Sequence, residues 1–227
     1  CFLSAKLLTN RKLYGRNGIG VYMDKYIENL KRKSPLIHNI TNMVTINDVA
    51  NIELACGARP IMAMAPQEME EVTGICDGLN INIGTPTEER FTAMRIAART
   101  AQKRGIPITL DLVGVGVSRF RMNFVQELLS ETKIDVIKGN LSEIKAIMEH
   151  GRCEGGVEAV DKADENEIKK LVCAAADRYN CVAVITGRVD YIAVVSKTTD
   201  SCNLAEGSQY LGKFRIAAVT GGHPMMK

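Results

Sequence analysis

The feature that most constrains the fold of this chain is an alternation of short apolar, β-branched runs with longer segments of helical periodicity. The runs lie at residues 60–64, 79–83, 106–112, 135–139, 181–186 and 191–196. Parallel strands need crossover connections, and helices in those connections cover the faces of the sheet. The alternation therefore predicts an α/β fold in which helices wrap a mostly parallel sheet.

Two of the segments between the runs carry clear helix signals. The first is predicted to begin with Thr85 as its N-cap, with Pro86 at the first helical position and Glu88 three residues after the cap, and to end at Gly105. Its predicted inward face consists of Phe91, Met94, Ala97, Ala98 and Ala101. The second places on one face Ile168, Leu171, Val172, Ala175 and Tyr179. The glycine-rich, acidic residues 151–166 are predicted to form an exposed connection, either a plain loop or a lid.

The N-terminal segment differs from the rest of the chain in charge. Residues 1–22 contain four basic residues and no acid, and a helix-like pattern opens at Met23. We interpret residues 1–22 as an extension outside the fold and expect residues 23–227 to form a single domain. Without that segment the formal charge falls from +3 to about −1, which gives no electrostatic case for nucleic-acid binding. No run approaches the roughly 18 apolar residues of a membrane span.

Cysteine and histidine usage points away from a disulfide framework and from a zinc site. The seven cysteines are odd in number and include no C-x-x-C pair. We expect reduced, mostly buried thiols in a cytoplasmic protein. The histidines, His38, His150 and His223, show no ligand spacing, and each is expected to be structural or exposed.

Polar or glycine-rich residues follow several strand-like runs, at 82–85, 110–116, 138–143, 186–190 and 219–222. Ligands of parallel sheets collect at the carboxyl ends of the strands, so these residues predict a phosphate-handling cleft. A dinucleotide fingerprint over 110–116 is a weak match, because it would need glycine in place of Arg119. Asp111 could hold Mg²⁺ or organise a phosphate site, and a helix cap or a buried hydrogen-bond acceptor is the alternative interpretation.

The motif Asn140-x-x-Glu143 allows two interpretations. It has the spacing of a helix capping box. Together with Asp111 and Lys138 it also places two carboxylates and a cation at neighbouring strand ends, as Mg²⁺-dependent phosphoryl transfer requires. Spacing alone does not separate the two.

Six blocks in unbroken order carry a family resemblance: SPLIHNITNMVTINDVAN (34–51), GARPIMAMAPQEMEEV (57–72), LNINIGT (79–85), GIPITLDLVGVGVSRFR (105–121), DVIKGNLSEI (135–144) and VITGRVDYI (184–192). Over roughly residues 23–221 the chain resembles the hydroxyethylthiazole kinases of thiamin salvage, in the ribokinase-like superfamily. The resemblance implies a ribokinase-like three-layer sandwich. It also implies phosphorylation of 4-methyl-5-(2-hydroxyethyl)thiazole with ATP and Mg²⁺, by a homotrimer with thiazole pockets between subunits.

The resemblance assigns roles to residues that match the family motifs. Asn42 and Met62 would line the thiazole site, although Met62 could equally be a plain core residue. Gly221 would begin the loop that cradles the transferring group. For the nucleotide side, the implied residues are Asp111 and Glu143 at Mg²⁺ and the phosphates, directly or through water, and Lys138 and Thr186 at the nucleotide.

Several positions depart from the family pattern. Lys138 stands where the family has arginine, so the positive charge survives without the bidentate fork, and weaker nucleotide binding is expected. Leu112 replaces a proline, Arg188 replaces an acid, and Met64 stands where a polar or aromatic residue is common.

The last residues of the sequence depart furthest. The family continues as GTGC or GAGC into a helix, whereas here Gly222, His223 and Pro224 follow, so we expect a fold that lacks its last helices and the family cysteine. No catalytic residue is assigned, because His223 is too isolated to be a good candidate for a base. The segment 213–218 is interpreted as extra sequence in a loop. Three alternatives stay open: a family member that is inactive in this form, a non-catalytic thiazole-binding protein and a ribokinase-like kinase for another small alcohol.

Overall fold

A computed structural model describes residues 19–149, 164–196 and 208–220. The helices are α1 (Ile19–Lys33), α2 (Ile46–Cys56), α3 (Met69–Gly74), α4 (Glu88–Arg104), α5 (Arg119–Glu131), α6 (Leu141–Met148) and α7 (Glu165–Tyr179). The strands are β1 (Leu36–Ile40), β2 (Arg59–Ile61), β3 (Gly78–Asn82), β4 (Ile108–Asp111), β5 (Val136–Asn140), β6 (Val182–Thr186), β7 (Val189–Val195), β8 (Ser208–Leu211) and β9 (Phe214–Thr220). In the part of the chain so described, no helix has the length and apolarity needed to cross a membrane.

The chain divides into two compact units. The first comprises the chain up to Ile81 together with Thr85–Pro107, and the second comprises Asn82–Gly84 and everything from Ile108 onward. Helix α1 begins at Ile19, four residues before the helical pattern noted at Met23. The division into an extension and a single domain stays a prediction.

In the first unit, β1 lies between β2 and β3 and pairs with both in parallel. The pattern of apolar runs did not predict β1, because the polar residues His38 and Asn39 interrupt its apolar sequence. Both side chains are nevertheless fully buried. Every residue of the predicted inward face of α4 is buried, and the helix ends at Gly105 with a left-handed φ of 67°, as predicted.

In the second unit, β4, β5 and β6 are parallel neighbours, followed by β7, β9 and β8 in antiparallel pairing. The α/β class with a mostly parallel sheet is thus confirmed. The interpretation of 213–218 as loop sequence is wrong, because β9 pairs with β7 from Val189 to Val195 and with β8. Cross-strand hydrogen bonds, which local sequence does not reveal, decide this assignment.

Helix α4 begins two residues later than predicted. Its N-cap is Thr87, whose hydroxyl accepts a hydrogen bond from the Arg90 amide at 3.2 Å. Thr85 instead adopts a left-handed φ of 47°, which does not suit an N-cap, and its hydroxyl bonds to the Arg90 side chain. The T-P-T-E sequence offers two threonines at this end. Thr85 binds the Arg90 side chain, and Thr87 is the residue that caps the helix.

Replacement of the actual cap gives a testable stability difference. Thr87→Ala should lower the free energy of unfolding by about 1 kcal/mol, because the Arg90 amide loses its acceptor. Urea denaturation followed by circular dichroism measures this. Thr87→Ser, which keeps the hydroxyl, should stay close to the wild-type value, and an equal loss in both variants would contradict the assignment of Thr87.

Candidate functional site

The second unit brings an aspartate and a lysine together at the ends of neighbouring strands. Asp111 ends β4 and lies opposite Lys138 of β5 in the parallel register. The Nζ atom of Lys138 donates to Oδ2 of Asp111 at 2.9 Å, and the side chains are 30% and 18% exposed. The other oxygen, Oδ1, is buried and has no hydrogen-bond partner. Asp111 therefore retains one carboxylate oxygen that a ligand or cation could use.

Glu143 performs the capping role that its spacing predicted and a second role besides. Its Oε2 accepts from the Asn140 amide at 2.7 Å, while Oδ1 of Asn140 accepts from the Glu143 amide at 2.9 Å, a reciprocal capping box at the start of α6. The other oxygen, Oε1, accepts from the Gly114 amide at 2.8 Å. One carboxylate thus joins the end of β5 to the loop that follows β4.

Two glycines allow close packing at this junction. Gly114 has a left-handed φ of 66°, which glycine adopts without steric cost. A Cβ atom on Gly139 would lie 3.0 Å from Cβ of Glu143 and 3.3 Å from Cδ1 of Leu112. A side chain at position 139 would therefore require Glu143 and Leu112 to move by a few tenths of an ångström.

Arg121 is a contributor that the sequence analysis did not identify. Its Nη1 donates to the Val113 carbonyl at 2.8 Å and to the Ile83 carbonyl at 3.1 Å. The loop after Asp111 is consequently held by Glu143 on one side and by Arg121 on the other. No local pattern marks this role, because Arg121 lies in the first turn of α5 and reaches both carbonyls only in the folded chain.

Thr186 lies at the same ends of the strands. It closes β6 opposite Asn140, and its hydroxyl donates to the Gly139 carbonyl at 3.3 Å. Four of the predicted residues, namely Asp111, Lys138, Glu143 and Thr186, thus gather at the carboxyl ends of β4, β5 and β6 or in the helix start that follows. Their roles toward a nucleotide stay predictions.

Asp111 and Glu143 suit a Mg²⁺ ion with few protein ligands better than a metal ion held entirely by protein side chains. Across the described ranges, no group of three or more His, Cys, Asp or Glu side chains is arranged to hold a metal ion. Mg²⁺ commonly takes one or two carboxylates and fills its other positions with water and substrate phosphates. The unpartnered Oδ1 of Asp111 suits that mode of binding.

In the first unit, the predicted alcohol-binding residues follow two neighbouring strands. Asn42 comes just after β1 and is buried, and Met62 comes directly after β2 and is half-buried. Oδ1 of Asn42 accepts from the amides of Val44 and Thr45 at 3.0 and 3.1 Å, which forms a turn before α2. Asn42 therefore shapes the loop that leads into α2, and contact with a substrate stays a prediction.

Buried polar side chains in the first unit form a network that sequence reasoning missed. Nδ2 of Asn39 donates to Oε2 of Glu53 at 3.0 Å, and Nδ2 of Asn80 donates to Oδ1 of Asn39 at 2.9 Å. Burial raises the pKa of the Glu53 carboxyl, and the Asn39 hydrogen bond opposes that shift. The only sequence signal was the presence of asparagines inside apolar runs at 36–40 and 79–83.

His38 is structural, in agreement with the prediction. Its Nε2 lies 3.1 Å from the Ala63 carbonyl and its Nδ1 lies 2.9 Å from the Thr73 hydroxyl. Because a carbonyl can only accept, Nε2 carries the proton and Nδ1 accepts from Thr73 in the neutral ring. Burial lowers the pKa of His38, against smaller opposing effects of the Ala63 carbonyl and Glu68.

This shift predicts a loss of stability on acidification. The folded-state pKa of His38 lies below the ordinary value of 6.5, so the unfolded chain binds more protons and stability falls as the pH drops from above 6.5 toward the folded-state pKa. Urea titrations at pH 7.5, 6.5 and 5.5 should show this decrease in the wild type and a weaker one in His38→Gln. Glu53, whose pKa is raised, has the opposite effect on the pH dependence of stability, and it does so equally in both proteins. If the free energy of unfolding changed with pH equally in the wild type and in His38→Gln, His38 would not be the group responsible.

The described cysteines are buried, as expected. Cys56, Cys76, Cys173 and Cys181 are all free and buried. Burial raises the pKa of the Cys181 thiol to about 11, so this thiol is protonated at neutral pH. The other sequence predictions that concern Gly221, His150, His223 and most of 151–166 fall outside the described residues.

Comparison with known proteins identifies the family that this chain resembles. Residues 27–222 match the model of the hydroxyethylthiazole kinase family. A hydroxyethylthiazole kinase of Clostridium acetobutylicum is 46% identical over 176 residues, which cover 75% of this chain and 64% of that protein. One from Thermoanaerobacter pseudethanolicus is 42% identical over 197 residues, covering 87% of this chain and 67% of the relative.

A solved structure of a hydroxyethylthiazole kinase protein from Pyrococcus horikoshii OT3 is similar to this chain, with a TM-score of 0.67 at 38% identity. The match covers 76% of this chain and 63% of that one. The chain thus spans roughly two thirds of the length of the relatives it matches.

Proposed function

The chain belongs to the hydroxyethylthiazole kinase family, and from this premise we propose that it phosphorylates the primary alcohol of 4-methyl-5-(2-hydroxyethyl)thiazole with ATP, as in thiamin salvage. The observation that carries the proposal is the Asp111–Lys138 pair at the ends of β4 and β5, with one carboxylate oxygen left unpartnered. Phosphoryl transfer asks a protein mainly for positioning and for electrostatic stabilisation of the phosphates. A cation and a carboxylate on adjacent strand ends supply both.

Each of the candidate residues in the second unit has its own role in binding the nucleotide. Lys138 brings a positive charge that favours the anionic phosphates, and its ion pair with Asp111 holds the ammonium in place. The Thr186 hydroxyl, at the end of β6, donates a hydrogen bond to the Gly139 carbonyl. When the nucleotide binds, the hydroxyl would donate to a phosphate oxygen instead. Asp111 and Glu143 would hold Mg²⁺, directly or through water, and the bound ion would neutralise charge on the transferred phosphate.

The residues of the first unit bind the alcohol. Met62 offers a half-buried, polarisable side chain of the kind that suits a small heteroaromatic ring. Asn42 fixes the turn after β1 through its two backbone hydrogen bonds. Gly221, which lies outside the described residues, is the remaining substrate residue that the family resemblance implies.

Exposed apolar residues support a homotrimer with shared pockets. Helix α2 buries only Glu53 and Cys56 among its own residues, while Leu54 on it and Met43 and Val44 just before it are between 58% and 81% exposed. Apolar exposure next to the Asn42 turn favours an interface at that place. The buried free cysteines agree with a reducing compartment, and we place the protein in the cytoplasm.

A coupled assay of ADP release with the 227-residue chain tests the proposal. We expect turnover that requires both Mg²⁺ and the thiazole alcohol, with the phosphate ester identified by ³¹P NMR. Calorimetric binding of the alcohol without turnover would instead support a non-catalytic binding protein. Faster turnover of other small alcohols in a substrate panel would support a different ribokinase-like specificity.

A further inference from the structure

Arg90 of α4 is buried without a counter-ion. It is 9% exposed, and its Nε is buried with no hydrogen-bond partner. Nη1 donates to the Thr85 hydroxyl at 3.1 Å and Nη2 donates to the Thr41 carbonyl. No ion pair to a carboxylate is found for Arg90 within the ranges that the structure describes, and burial lowers its pKa. A guanidinium in this state is costly, because its lost hydration is only partly replaced.

Thr85 adds a second unfavourable feature at the same place. It is a β-branched residue with a φ of 47°, in the left-handed region that side chains of this kind rarely adopt. It also precedes Pro86, which normally pushes the preceding residue into extended conformations. This backbone directs the Thr85 hydroxyl to Nη1 of Arg90 and, at 3.5 Å, to the amide of Met43.

Both features act on one short segment, residues 41–45. Arg90 binds the carbonyl of Thr41, Thr85 binds the amide of Met43, and Asn42 between them folds the turn through the amides of Val44 and Thr45. Strained backbone and desolvated charge persist where the surrounding structure uses them to hold a functional conformation. The stretch of chain held in this way contains the alcohol-binding residue of the proposed function.

We propose that Arg90, oriented by the strained Thr85, is a positioning residue that fixes the 41–45 segment in the conformation that binds the alcohol substrate. This inference rests on the proposed function. Arg90 acts through Thr41 and Thr85 rather than on the substrate itself. Its removal should therefore affect binding of the alcohol and leave the nucleotide side, built from the second unit, largely unchanged.

The test uses Arg90→Lys and Arg90→Met in the 227-residue chain. Because displacement of a binding group by about 1 Å costs up to about 100-fold, we expect the KM for the thiazole alcohol to rise by at least about 10-fold in both variants, with the KM for ATP within about twofold. Lysine keeps the positive charge but lacks the planar guanidinium, so Arg90→Lys should not restore the wild-type KM for the alcohol. Arg104→Lys, a substitution of the same kind at an exposed site on α4, is the control and should leave both KM values unchanged.

A second measurement separates this inference from the proposed function. Amide hydrogen exchange at Val44 and Thr45 should accelerate by about 10-fold or more in both Arg90 variants and stay unchanged in Arg104→Lys. If the wild type fails to phosphorylate the alcohol, the proposed function fails, while faster exchange would still support positioning by Arg90. Unchanged exchange together with an unchanged KM for the alcohol would overturn the inference.

A double-mutant cycle with Thr85→Ala tests the coupling between the two residues. If Arg90 and Thr85 act as one device, their effects on exchange at Val44 and Thr45 should be clearly less than additive. Additive effects would overturn the claim that Thr85 orients Arg90. Because Arg90→Lys is the milder change, it carries the test should Arg90→Met fail to fold.

Discussion

Asp111→Asn should lower kcat/KM for phosphorylation of the thiazole alcohol by about 100-fold to 1,000-fold. The substitution removes the negative charge that pairs with Lys138 at 2.9 Å and that would attract Mg²⁺ through the unpartnered Oδ1. An amide of the same shape keeps the packing, so the free energy of unfolding should change by only about 1 kcal/mol. Steady-state kinetics over a range of Mg²⁺ concentrations and urea denaturation measure the two effects.

A matched ion pair elsewhere in the same unit provides the control. Asp177 pairs with Lys213 at 2.6 Å, with side chains 48% and 57% exposed. Asp177→Asn therefore removes a similar contact between a carboxylate and a lysine, at a place that is more exposed to water. It should change kcat/KM by no more than about twofold and the free energy of unfolding by no more than about 1 kcal/mol. Equal activity losses in the two variants, or none in Asp111→Asn, would contradict a role for Asp111 in phosphoryl transfer.

Glu143→Gln is the second substitution expected to have a large effect. The carboxylate accepts one backbone N–H on each oxygen, from Asn140 and from Gly114. The amide of glutamine offers a single oxygen, so one of these donors would face an NH₂ group, and we expect a loss of about 1–3 kcal/mol in the free energy of unfolding. Because the Gly114 loop directly follows Asp111, kcat/KM should also fall, by about 100-fold.

The capping box of α7 is the matched control for Glu143. Glu167 accepts from the Asp164 amide at 3.3 Å in the same reciprocal motif, but it is exposed. Within the described residues, its carboxylate accepts a hydrogen bond only at the helix start. Glu167→Gln should cost less than about 1 kcal/mol and leave kcat/KM unchanged. Comparable activity losses in both variants would show that Glu143 acts only as a helix cap.

Sequence alone predicted where the candidate residues of the second unit lie, since strand ends can be located by pattern. Asp111 and Lys138 were identified because each lies at or beside the end of an apolar run, and parallel strands end at the same edge. Thr186 also follows an apolar run, but its role was assigned by the family resemblance. The capping box predicted from the spacing of Asn140 and Glu143 is present, and only the fold shows that the same carboxylate also binds the Gly114 amide. A role for Glu143 at Mg²⁺ stays a prediction.

The arginines were beyond sequence reasoning. Arg90 and Arg121 act by reaching backbone carbonyls, at Thr41 for the first and at Ile83 and Val113 for the second. A backbone carbonyl is present at every position, so no residue pattern marks which one a distant side chain will bind. The misplaced N-cap of α4 has a local origin: the Thr85 hydroxyl binds the Arg90 side chain five residues on, and the Thr87 hydroxyl caps the helix instead.

What the sequence by itself determined is the alternation of strands and helices over much of the chain, the parallel character of most of the sheet and the family. Periodicity and turn residues are local, and burial of one face per element follows from them. The tertiary structure alone decided that residues 214–218 pair as part of β9, that His38, Asn39 and Glu53 are buried polar residues, and which carboxylate oxygen of Asp111 has no hydrogen-bond partner. These outcomes depend on partners many residues away, and hydrogen-bond geometry between them exists only once the chain has folded.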